Sequence, residues 1–96
     1  MAKPKSKQAL GVASLIGKAV FVRAVTHYYT GRLVGIVDNA LVLDDAAWIA
    51  DTGRFAAALG SASLGEVEPY PGRVYVNWGA GVDICEWTHA LPRETK

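Results

Sequence analysis

The residues of this chain that could do chemistry crowd into one stretch, THYYTGRLVGIVDNALVLDD, residues 26–45. His27, Tyr28 and Tyr29 open it, Asp38 and Asn39 stand in the middle, and Asp44 and Asp45 close it. An imidazole beside phenols could stack on a flat ligand or face a protein partner. Two carboxylates could hold a cation, and an asparagine can both donate and accept along a base edge. Strand alternation limits these options. It puts His27 and Tyr29 on one face and Tyr28 on the other. It also points Asp44 and Asp45 to opposite faces, so they cannot chelate one metal as a pair. Asp and Asn are equally the residue types that turn a chain. Asp38 and Asn39 are therefore either a polar site or a chain reversal.

Outside this stretch, the chemistry thins out. His27 and His89 lie far apart and lack metal-ligand spacing. Cys85 is the one cysteine, which excludes an internal disulfide and a four-cysteine zinc site. Its apolar setting, VDICEW, reads as a small buried side chain. Serines occur in KSK, ASL and GSAS, none in a nucleophile elbow. WGAGVD has glycines but leads into a strand rather than a helix, so it is no phosphate loop. These observations argue against an enzyme and against a bound cofactor or metal. The remaining polar-aromatic feature is Asn77-Trp78-Gly79. An exposed tryptophan there would be a stacking platform worth about 1–3 kcal/mol per base.

The elements that must position these residues read as follows. Residues 1–7 form a flexible basic arm, and a short helix follows in which Leu10, Ala13 or Ser14, and Ile16 or Gly17 share a face. Gly17 ends it. AVFVRAVTHY alternates as a strand, with Phe21, Arg23 and Val25 on one side. GRLVGIV is the second strand, with Gly31 and Gly35 on the same face, a pattern that fits a strongly curved strand. ALVLDD, after the Asp38-Asn39 turn, is the third. Residues 46–65 are alanine-rich and read as a helical insertion, capped by Asp51 or Thr52 and stopped at Gly60. EVEPYPG reads as a loop, and RVYVN and VDICEW as the two strands of a hairpin. Residues 8–91 make one domain and 92–96 a tail.

The composition bounds what such a domain can bind. Of 96 residues, 51% are apolar and 20% charged, which leaves a small domain with surplus apolar surface to bury against copies of itself. The basic charge is uneven. Lys3, Lys5, Lys7 and Lys18 precede the body, and residues 19–92 hold four arginines against eight acids. An acidic body repels phosphate, so nucleic acid would need a local site or the arm. The opening apolar run is short and closed by Lys18, so it reads neither as a signal peptide nor as a membrane span. A cytoplasmic protein is the expectation.

This order of elements resembles the Sm-like family, which includes the Sm and LSm proteins and bacterial Hfq. YTGRLVGIVDNALVLDD is similar to the family's first motif, with Gly31, Leu33, Asp38, Leu41 and Leu43 at its positions. VYVNWGAGVDIC is similar to the second. Together they cover about 40 of the residues. Where the second motif usually carries Arg-Gly, this chain has Asn77, Trp78 and Gly79. The resemblance implies a mainly β fold, a small five-stranded, strongly bent barrel with an N-terminal helix. It also implies a homo-oligomeric ring of about five to seven subunits. In such a ring the turns converge at a pore. Asp38, Asn39, Asn77, Trp78, Gly79 and Tyr29 would then be the nucleic-acid-binding residues for single-stranded RNA. The acidic body and the alanine-rich insertion suit the alternative of a homo-oligomeric scaffold or protein-interaction module without RNA binding.

Overall fold

The computed structural model describes residues 11–24, 27–77 and 83–96. Its strands are β1 (Ala19–Arg23), β2 (Tyr28–Val37), β3 (Ala40–Asp51), β4 (Glu66–Pro69), β5 (Val74–Asn77) and β6 (Asp83–Glu86). Among the described residues one α-helix, α1, spans Phe55–Ser61, and a 3-10 turn covers Val12–Leu15. Every pairing is antiparallel, in the order β4-β3-β2-β1-β6. β3 is long enough to take two short strands in tandem on one edge, β5 along Ala40–Leu43 and β4 along Ala47–Asp51.

The fold is thus mainly β, as the alternation predicts, but several expectations are corrected. There are six strands rather than five, and the sheet is not closed into a barrel among the described residues. β5 and β6 are not a hairpin. β5 pairs with β3 and β6 with β1. Residues 46–51 are strand, not insertion, because β2 and β4 both pair with them, and pairing overrides alanine's helical preference. Glu66–Pro69 is likewise strand. The helix keeps only Phe55–Ser61. Neither Asp51 nor Thr52 caps it: Arg54 stands at the N-cap without a side-chain bond, and Asp51 Oδ1 instead accepts from the Gly53 amide at 2.8 Å. Gly60 lies inside the helix, which ends at Ala62 in the left-handed region (φ 59°). The N-terminal turn packs Val12 and Leu15 inward while Ile16 stays exposed. Leu10, like the arm, lies outside the described residues.

Both faces of the sheet are covered. On one face Val20, Val22, Leu33, Leu41, Leu43, Ala46 and Val76 form a core. On the other, Phe21, Ala47, Ile49 and Val67 pack under Ala58 of α1, Leu64 and Trp87. This explains the unbroken apolar run of β1, whose Val20, Phe21 and Val22 are all buried. Phe21 is the hub of the second core, with ring centroids 5.5 Å from both Tyr28 and Trp87.

The curvature has two bulges at its source. Between Thr30 and Arg32 the pairing skips an extra residue on β3, and between Leu33 and Gly35 it skips one on β2. At the first bulge Asp45 adopts φ 51°, a conformation Asp tolerates better than most residues. Gly31 faces it: a Cβ there would meet the Leu43 Cβ at 3.0 Å and the Asp44 carbonyl at 3.2 Å. The second bulge flips the faces. Gly35 pairs with Val42, while Leu33 pairs with Leu43. Gly31 and Gly35 therefore lie on opposite faces, against the plain alternation, and Gly35 stands in open space.

Candidate functional site

The β2–β3 connection is a two-residue turn at Asp38 and Asn39, both exposed, with Asp38 at φ 54°. Ala40, the next residue, is the register partner of Asn77 at the end of β5. The fold thereby brings Asp38, Asn39 and Asn77 to one end of the β2-β3-β5 ribbon, although Asn77 is far along the chain. Trp78 and Gly79, which the sequence places beside them, lie outside the described residues. Tyr29 does not join this group. It sits at the opposite end of β2, nine residues from Asp38, roughly 30 Å away if the strand were straight.

Tyr29 belongs to a second cluster. Its hydroxyl shares a 2.7 Å hydrogen bond with His27 Nε2, the imidazole tautomer deciding which donates. The His27 ring lies 5.0 Å from Tyr29 and 5.5 Å from Trp48, edge-on to both. Tyr70 stacks on Tyr29 at 6.4 Å. Burial pushes the Tyr29 phenol above its ordinary range, and the neighbouring Tyr70 adds to this. Glu68 is the register partner of Trp48, so this half-buried aromatic row borders an acid. Tyr28, on the other face as alternation requires, is part of the second core.

The other titratable groups have structural occupations. His89 Nε2 donates to the Leu59 carbonyl at 2.7 Å, filling an acceptor that the last turn of α1 leaves open. Asp44 takes a two-pronged bond from Arg73 (2.7 and 3.0 Å), and this hydrogen bond holds its carboxyl below the usual carboxylate range. Asp45 takes Arg93 of the tail at 2.7 Å. The two adjacent aspartates thus serve different partners, and no metal-binding group of His, Cys, Asp and Glu occurs among the described residues.

One feature left no signal in the sequence. Phe55 and Leu59 of α1 overhang β1 and β6, leaving a groove of about 250 Å³ lined also by Phe21, Arg23, Asp83, Ile84 and Cys85. Arg23 forms a two-pronged ion pair with Asp83 (2.6 and 3.0 Å) and lies 5.6 Å above the Phe55 ring. Cys85 is exposed, not buried as VDICEW implies, because β6 is the outermost strand. Partial burial, then Asp83, raises its thiol pKa. Arg23 and Asp83 are 60 residues apart, so only the β1–β6 register could have revealed the pair.

Comparison of the chain with protein-family models, with curated proteins and with solved structures found no match. No helix among the described residues is long and apolar enough to cross a membrane.

Proposed function

We propose that the chain is an Sm-like module whose function is to assemble with copies of itself into a ring through its sheet edges. One observation carries this reading. The last two strands, neighbours in sequence, lie on opposite margins of the sheet, β5 against β3 and β6 against β1. Along Val74–Val76 and along Asp83–Glu86 each margin offers backbone donors and acceptors with no second strand partner among the described residues. Such edges pair with another chain unless they are blocked. β4 is blocked in this way: Val67 and Lys96 exchange backbone hydrogen bonds at 3.0 and 2.9 Å. Two unlike edges make a head-to-tail contact, which closes into a ring when the rotation permits. Light scattering on the purified chain tests the reading. A mass of about five to seven subunits is expected from the family resemblance, and a monomer at high micromolar concentration refutes it.

A second reading adds single-stranded RNA at the turns, supported by the approach of Asn77 to Asp38 and Asn39. Short U-rich and A-rich RNAs at low salt test it. Retention by the assembled form that Asn39→Ala and Asn77→Ala abolish supports RNA binding. No retention at tens of micromolar leaves the ring as a scaffold for proteins.

A further inference from the structure

The exposed groove and the most exposed large apolar side chain among the described residues belong to opposite edges of the sheet. Tyr75, on β5, is 62% exposed, with its hydroxyl beside Arg73. Its neighbour Val76 is buried in the first core, so Tyr75 points to the other face. On β6 the same division holds. Ile84 packs against the first core as well as touching the groove, while the β6 register places Asp83 and Cys85 with Arg23 and Phe21 on the groove side.

We infer that Tyr75 of one copy inserts into the groove between α1 and β6 of the next copy. The inference rests on the edge-to-edge assembly proposed above and names the contact that selects the partner. When β5 of one copy extends the sheet beyond β6 of another, one continuous apolar face requires Val76 and Ile84 on the same side. Alternation then puts Tyr75 on the side of Asp83 and Cys85, at the mouth of the groove. The floor is Phe21 and the overhang Phe55 and Leu59, surfaces on which an aromatic ring packs offset or edge-on. At about 250 Å³ the groove has room for a phenol ring. The Arg23–Asp83 pair at its rim supplies both a donor and an acceptor for the hydroxyl. Arg73 and Asp83 are already paired within one copy, with Asp44 and Arg23, so it is the match of one open edge to the other, with Tyr75 over the groove, that selects the partner. A second copy of this chain is therefore the occupant.

Cys85, the chain's one cysteine, reports on the groove directly. The experiment compares the full-length chain with Tyr75→Ser and Tyr75→Phe, measuring mass against concentration and the rate at which a maleimide labels Cys85. Wild type is expected to be labelled at least about tenfold more slowly when assembled than when diluted to monomer. Tyr75→Ser should raise the dissociation constant per contact about tenfold to a hundredfold and restore fast labelling. Tyr75→Phe should keep both the mass and the protection. Because Tyr75 is exposed within one copy, an unchanged far-UV spectrum is expected for both variants. An assembled wild type whose dissociation and labelling match those of Tyr75→Ser overturns the insertion while leaving edge assembly intact. A wild type that stays monomeric overturns the assembly and the insertion together.

Discussion

At the residue scale, the clearest anomaly is Thr30. Its side chain is fully buried, and its hydroxyl finds no hydrogen-bond partner among the described residues. A buried hydroxyl left unmade costs about 1–3 kcal/mol of desolvation, and valine keeps the β-branched shape. Thr30→Val is therefore expected to stabilise the fold by about 1 kcal/mol, read as a higher urea midpoint with an unchanged slope. The two glycines of β2 make a sharper contrast. In Gly31→Ala the new methyl meets the Leu43 Cβ at 3.0 Å and the Asp44 and Ala46 backbone at 3.2 and 3.3 Å, which must yield by a few tenths of an ångström, and a loss of about 1–3 kcal/mol is expected. Gly35→Ala meets nothing within 4 Å and is expected to be neutral or to stabilise by about 0.5 kcal/mol through the unfolded chain. Equal losses at both positions would contradict the face flip at the second bulge. The sequence made both glycines visible as agents of curvature. It could not separate them, because a bulge adds a residue without leaving a residue type that marks it.

At the scale of elements, β3 is the spine. It pairs with β2 along one edge and with β4 and β5 along the other, and Asp44 and Asp45 lie where it bends. Asp44 ties the start of β5 to this bend through Arg73. Its carboxyl pKa is lowered in the fold by that hydrogen bond. The contribution is therefore fully present above the unfolded carboxylate value of about 3.9 and is lost as pH falls through the lower folded value. Asp44→Asn is expected to lower stability at neutral pH only slightly, because the pair is exposed and screened, to leave it unchanged well below the folded value, and so to flatten the acid limb below about pH 4 by that same small amount. Denaturation midpoints measured from pH 2 to 7 for both chains check this. Alternation made the contact of His27 with Tyr29 legible, whereas the different partners of Asp44 and Asp45 come with a bulge at Asp45 that alternation does not foresee. The continuation of β3 through AAWIAD was not legible, because alanines carry no strand signal and only pairing with β2 and β4 holds them extended. The groove was hidden for a related reason, since its walls come from β1, α1 and β6, which only the fold brings together.

At the scale of the whole molecule, the question is how a chain with this composition stays stable and dispersed. Half its residues are apolar, and both faces of a six-stranded sheet must be covered within 96 residues. Chains of this size are marginal when they fold alone. The tail covers the β4 edge, and α1 with Trp87 covers one face, yet among the described residues Tyr75 and Phe55 are exposed and the margins at β5 and β6 take no second strand. Copies that close these margins bind the folded chain and not the unfolded one, so mass action couples folding to assembly. Each tenfold rise in chain concentration should then stabilise the fold by about 1 kcal/mol per subunit. For a domain of this length that corresponds to a rise of roughly 5 °C in Tm. Thermal unfolding across a hundredfold range of concentration measures this. Wild type is expected to climb with concentration, and Tyr75→Ser to climb only at its upper end, where the weakened contacts refill. A Tm that is flat across the whole range for wild type would mean that the open margins contribute nothing to stability, and the ring would then have no thermodynamic basis.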